Sequence, residues 1–410
     1  MTGASRVTTS DPAASAPLGT LARLFSIRDA SAPYALVDVL AQSLSQSGAQ
    51  SLVLHLASHD GEYLVGLIPG EESPASVLEV DGTLPGRVFV EQRSTELEES
   101  GAVRLLIPVS ERSYRLGVLE LFFAELDDAL RQTAAEHALL AAHLLITDGR
   151  YTDYYLCTRR VQPMELPAEL QWQLLPPRAM GFGGISVAGM LVPAYDVGGD
   201  LFDYGAEPGV VHMAVFDVMG HGVVSSVIGG LVAGAFRNAR RRGADLGEQA
   251  LAIDSALRKF EQGVFTTGVL AEVDSARSEL RYVNYGHPDP LLLRDGGMTR
   301  LAPSERTVPM GLGEQGDATD RAPVQTVSLR SGDVIVLHTD GAIELRDPDG
   351  APLDDEGFEA IVHKHALEGT EPWELTRRIA GDLMSYRRSD LVDDATIAVL
   401  RYAPSDSAAG

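Results

Sequence analysis

Residues 210–222 read VVHMAVFDVMGHG. The first part is apolar with β-branched and aromatic members, the composition of a buried strand. Asp217 ends the run, and Gly220 and Gly222 follow it closely. The chain therefore turns sharply just past an acid. The same arrangement recurs elsewhere. DVIVLHTD (333–340) ends in Asp340 and is followed by Gly341, and GISVAGML (184–191) leads through Gly198 and Gly199 to Asp200. Asp393 and Asp394 immediately precede the strand-like TIAVLRY (396–402). A strand end holds a side chain rigidly at the rim of a sheet, and adjacent glycines let backbone approach a ligand.

Taken singly, an Asp after a strand is most often a turn former, and Asp203, Asp274 and Asp333 read that way. Asp196 and Asp203 are expected in solvent or behind a site. Four acidic positions converging on one rim would instead need a cation among them. All-oxygen donor sets suit hard ions such as Mg2+ or Mn2+. Cys157 is the only cysteine, which excludes a thiolate zinc site and an internal disulfide and fits a reducing, cytoplasmic setting.

The chain has 410 residues and a formal net charge of −25, with 45% hydrophobic and 22% charged residues. Those proportions are ordinary for a globular protein. The charge gives little reason to approach nucleic acid or an anionic membrane. No apolar run is long enough to span a bilayer, and the opening MTGASRVTTSDPAASAPLG has no apolar signal core.

The expected organisation is a tail (1–18), a small α+β domain (19–148), a helical connector (149–177), a larger domain (178–403) and a second tail (404–410). In the first domain, YALVDVLAQSLSQSG (34–48) has helical spacing, and two apolar runs flank SERS (110–113) as a hairpin. A long helix follows from about residue 126. Its Leu and Ala stripe is expected to pair with a second copy in a homodimer or to pack on its own sheet. The connector carries LPAELQWQLLPPR (166–178), a short helix closed by prolines. In the larger domain many short strands surround helices at 223–242, 246–262, 355–365 and 371–386. The strands do not alternate strictly with helices, which argues for α+β with antiparallel sheets.

Five motifs, DVGGDLFD (196–203), FDVMGHG (216–222), NYGHPDP (284–290), LHTDGAIE (337–344) and DDATIAV (393–399), occur in this order. Together they resemble the metal-dependent serine/threonine protein phosphatases of the PPM family, in the SpoIIE-like bacterial branch. The resemblance implies an antiparallel β-sandwich flanked by helices, holding two or more Mg2+ or Mn2+ ions at one end. It implies Asp200, Asp217, the Val218 carbonyl, Asp340 and Asp393 as metal ligands, with Asp200 and Asp217 central to catalysis. Asp394, Gly199 and Gly341 would support those ligands from behind. His287 is expected to fix a turn rather than to donate a proton, and His221 sits two positions away from the histidine of the eukaryotic relatives. The family's phosphate-binding arginine has no counterpart in VAGMLVPAYDVGG (187–199). RNARRRG (237–243) reads as the cationic end of a helix.

LPGRVFVEQRS (84–94) and VRLLIPVSERSYRLGVLELFF (103–123) resemble GAF sensor domains, which implies a small ligand there of unspecified identity. The combination resembles sensor-regulated phosphatases of partner-switching pathways, whose substrates are phosphorylated anti-sigma-factor antagonists. The competing expectation is an inactive ligand-sensing scaffold with a phosphatase fold.

Overall fold

The computed structural model describes residues 20–99, 101–193, 195, 198–312, 321–347, 350–366, 369–386 and 394–404. The expected tails lie outside these residues apart from Pro404, as do Asp196 and Asp393.

The N-terminal half runs α1 (Thr20–Asp29), α2 (Leu36–Ser45), β1 (Ala49–Ala57), β2 (Tyr63–Leu67), β3 (Ser76–Glu79), α3 (Leu84–Glu91), β4 (Thr95–Glu99), β5 (Ala102–Glu111), β6 (Tyr114–Phe123) and α4 (Asp128–Asp148). Its strands form one antiparallel sheet in the order β3-β2-β1-β6-β5-β4. Alternation divides the sheet's two faces. Leu52, Leu54 and Leu56 of β1 pack with α2 and α4, whereas Ala57, Leu106 and Val118 face the other way. Of the expected stripe, Ala134 and Leu144 are buried in that first core and Leu130 and Leu140 pack against it, so it packs on its own sheet. The expected SERS hairpin is β5–β6, tightened to a turn in which Arg112 adopts φ 53°.

The connector holds α5 (Tyr154–Thr158) and α6 (Leu166–Leu174). The C-terminal half then runs β7 (Ala179–Phe182), β8 (Ile185–Val192), β9 (Leu201–Glu207), β10 (Val210–Val218), α7 (Val223–Arg241), α8 (Leu246–Phe260), β11 (Thr266–Asp274), β12 (Glu279–Tyr285), β13 (Leu291–Arg294), β14 (Gly297–Arg300), β15 (Gln325–Ser328), β16 (Asp333–His338), α9 (Gly341–Glu344), α10 (Asp354–His365), α11 (Pro372–Tyr386) and β17 (Ala395–Tyr402). Two antiparallel sheets, β15-β12-β11-β10-β9 and β14-β13-β16-β17-β8-β7, face each other. Val211, Met213 and Val215 of β10 meet Ile335 and Leu400 between the sheets. Ala214 and Phe216 point to α7 and α8, and Ile397 and Val399 point to α9–α11. The result is the α+β sandwich with helices on both outer faces. Burial on both sides explains the near-continuous apolar runs read from the sequence.

The two halves share a core. Phe89 and Val118 of the first pack with Ala179, Ala188 and Trp373 of the second. Arg159 Nε donates to the Ala57 carbonyl (2.7 Å), and Arg178 donates to the carbonyls of His59 and Ser58.

Candidate metal centre

Register places the acids. Phe216 pairs with Leu201 in the β10–β9 ladder, so Asp200 and Asp217 stand at the same end of one sheet. His338 pairs with Ile397 in the β16–β17 ladder, so Asp340 and Asp394 stand at one end of the other. These ends form one rim, because Asp200 lies within electrostatic reach of Asp217 and Asp394.

Glycines let the four segments close on one another. A β-carbon on Gly199 would lie 2.3 Å from the Val218 carbonyl oxygen, and one on Gly341 would lie 1.7 Å from that of Asp394. Neither position tolerates a side chain without backbone movement. The Gly198 and Gly199 amides both donate to Asp394 Oδ2, the second at 3.2 Å. Asp394 thereby holds the turn that presents Asp200. Three further contacts fix this turn, and none was evident in the sequence. Thr339 Oγ1 donates to Asp200 Oδ2 (2.5 Å), Gln171 Nε2 of α6 donates to the Asp200 carbonyl (2.7 Å), and Ser226 Oγ of α7 donates to the Gly198 carbonyl (3.0 Å). They come from distant segments through short polar side chains, which carry no periodic signal.

Asp200 is only 2% exposed. Burial pushes its carboxyl well above the ordinary range, repulsion from Asp217 and Asp394 adds to this, and the Thr339 hydroxyl opposes it. Burial also raises Asp340, against the Gly341 amide. A divalent cation would reverse both effects by favouring the charged forms. The donors on this rim are carboxylates and a backbone carbonyl, the chemistry of a Mg2+ or Mn2+ site. Among the described residues no three His, Cys, Asp or Glu side chains are gathered into a ready-made cluster; Asp393 is not among those residues.

Other residues singled out in the sequence take different places. His221 is exposed in the turn before α7. His287 is buried, with Nδ1 2.7 Å from Thr267 Oγ1, and its backbone exchanges hydrogen bonds with the Asn284 side chain. Burial, with His338 beside it, pushes the His287 imidazole down to about 3. Asp203 is a correction: it is neither in a turn nor in solvent. It lies within β9, 1% exposed, and pairs with Arg237 and Arg240 (3.1 Å for the latter). Those arginines come from the RNARRRG segment, so two of its cations strap α7 to the sheet. Asp274 does cap a turn, through the Ala276 and Arg277 amides. Asp333 accepts from the Arg330 amide but is also ion-paired to Arg294. Cys157 is exposed on α5. Among the described residues no helix is long and apolar enough to cross a membrane.

Comparison with known proteins supplies the context for this rim. Residues 207–403 match the sequence model of the family described as Stage II sporulation protein E (SpoIIE). The chain is similar to the phosphoserine phosphatase RsbU of Bacillus subtilis (strain 168), 22% identical over 242 residues, covering 58% of this chain and 69% of that protein. Among solved structures, the RsbU and RsbW domains of Rv1364c from Mycobacterium tuberculosis align at 27% identity and a TM-score of 0.47. That alignment covers 54% of this chain and 63% of the other. The SiaA-PP2C domain of Pseudomonas aeruginosa aligns at 22% identity with a TM-score of 0.49, covering 57% and 94%.

Proposed function

We propose, from the match of residues 207–403 to the SpoIIE family model, that the chain is a metal-dependent phosphatase of phosphoserine or phosphothreonine in proteins. The observation that supports the reading is Asp200 within electrostatic reach of Asp217 and Asp394, with Asp340 next in the chain to Thr339, which donates to Asp200, and with Gly199 and Gly341 packed against neighbouring backbone. Asp200, Asp217, the Val218 carbonyl, Asp340 and Asp393 would hold two Mg2+ or Mn2+ ions. When bound, such ions acidify a water and neutralise phosphoryl oxygens. The chain's own residues supply rigidity. Asp217 ends a strand hydrogen-bonded on both sides. Asp394 and Thr339 fix the turn and the carboxylate of Asp200. Such preorganisation keeps charge in place as it develops on the substrate.

Similarity to RsbU supports a role in partner switching, with a phosphorylated anti-sigma-factor antagonist as substrate and the GAF-like domain as regulator. The shared core between the halves supports a physical route for that regulation.

The test is hydrolysis of p-nitrophenyl phosphate by the full chain with Mn2+, with Mg2+ and with EDTA, alongside Asp217→Asn. The expected result is turnover that requires metal and falls at least ~100-fold in the variant, with an unchanged circular dichroism spectrum. Full activity in Asp217→Asn would sink the metal assignment. Absence of both turnover and metal binding in the native chain would favour the inactive scaffold.

A further inference from the structure

A pocket of about 250 Å3 lies where the N-terminal domain, the connector and the C-terminal domain meet. Its wall is apolar on one side, with Met190, Val192 and Pro193 from the end of β8 and Met384 from α11. The β1–β2 turn contributes Asp60 and Glu62 to the same lining. Among the described residues the Glu62 carboxylate makes no hydrogen bond or ion pair, and Asp60 Oδ1 accepts from the Ser58 hydroxyl and the Glu62 amide. Arg377 is the cation that acts on Glu62, but it is committed to Glu374 and Asp81. The turn is otherwise rigidly held: Arg178 grips its carbonyls, and the His59 ring lies 5.0 Å from the Trp172 ring of α6. A half-buried pair of carboxylates in a pocket also lined by apolar side chains selects for positive charge on a compact apolar body.

We propose that this pocket binds a small organic cation, with its ammonium group between Asp60 and Glu62 and its apolar part on Met190, Pro193 and Met384. Its volume is below the usual range for drug-sized ligands, which limits the body to about one ring. Pro193 and Tyr195 of this pocket precede Asp200 in the same stretch of sequence. An occupant therefore touches both the sensor-side turn and residues that lead toward this carboxylate. That second step rests on the phosphatase reading; the binding step does not.

Ligand-observed NMR titration of the full chain with phenethylamine, 2-phenylethanol and 3-phenylpropionate separates charge from shape. The amine is expected to bind in the low-millimolar range, roughly tenfold or more tighter than the alcohol, with the acid weakest. Glu62→Gln should remove that preference, and Met384→Trp, which fills the pocket from a half-exposed position, should remove binding. Equal affinity for amine and alcohol, no amine binding, or amine binding intact in Met384→Trp would each overturn the site. Saturating amine should change p-nitrophenyl phosphate turnover at least about twofold in the native chain and leave Met384→Trp unaffected. Binding without that change would overturn the link to Asp200 alone. Binding by a chain that hydrolyses nothing would leave the site standing and remove the phosphatase.

Discussion

Gly199 is the residue at which the rim depends most directly on the absence of a side chain. It is not among the glycines with positive φ, so its backbone conformation is open to alanine. Contact is the obstacle: the added methyl would meet the Val218 carbonyl at 2.3 Å and the Gly220 carbonyl at 3.4 Å. Relief requires the turn to move away from β10, and Asp200 moves with it. Asp394 resists that motion through the two glycine amides. Gly199→Ala is therefore expected to keep its fold while metal-dependent turnover drops on the order of 100-fold, the scale of an ångström-sized displacement in a catalytic group. Rates with p-nitrophenyl phosphate across a Mn2+ titration check this. Wild-type turnover in the variant would mean that the Gly199–Val218 contact does not set the geometry of the site.

Strands and helices differ in how much of their role was legible. The strands that lead to Asp217 and Asp340 were readable because both faces are buried, which leaves long apolar runs followed by an acid. β9 was not, because LFDYGAE interrupts its run with Asp203 and Gly205. The ion pairs that make Asp203 tolerable in a buried strand come from α7, and no local pattern announces them. α3 was hidden similarly: its Pro-Gly pair at 85–86 reads as a turn but occupies the first turn of a helix, where Thr83 caps the Gly86 amide. Of the site, the acids and glycines were legible, whereas Thr339, Gln171 and Ser226 act through tertiary contact alone. The Asp203 pairing makes its own prediction. Removing one member of a buried pair leaves uncompensated charge, so Asp203→Ala, which strands Arg240 (side chain 10% exposed), should cost about 3 kcal/mol. Urea denaturation measures it, and a loss below about 0.5 kcal/mol would show that α7 is held by its apolar face alone.

At the scale of the whole molecule, the two halves are expected to unfold as one unit, because the junction between them is built like a domain interior. Both tryptophans of the chain report on it: Trp172 lies against His59 with the rings tilted, and Trp373 is buried against Phe89, with ring centroids 4.9 Å apart. His59 makes the junction sensitive to acid. Burial pushes its imidazole down to about 2, and Arg159 and Arg178 push in the same direction. In the unfolded chain the same group titrates near 6.5. The unfolded state therefore binds the extra proton below pH 6.5, and the native state loses stability as pH falls through that point. The loss is about 1.4 kcal/mol per pH unit from this one group, or about 2 kcal/mol between pH 6.5 and 5. His287, held down to about 3, acts with the same sign from the C-terminal core, so the native slope exceeds that of His59 alone. Comparing the native chain with His59→Gln isolates the junction, because the other groups cancel. Urea midpoints at pH 7, 6 and 5, followed by tryptophan emission and by far-ultraviolet circular dichroism, should coincide between the two probes and shift less with pH in the variant. Two separate transitions would mean that the shared core does not couple the halves, and an unchanged pH slope in His59→Gln would mean that His59 is not held neutral at their junction.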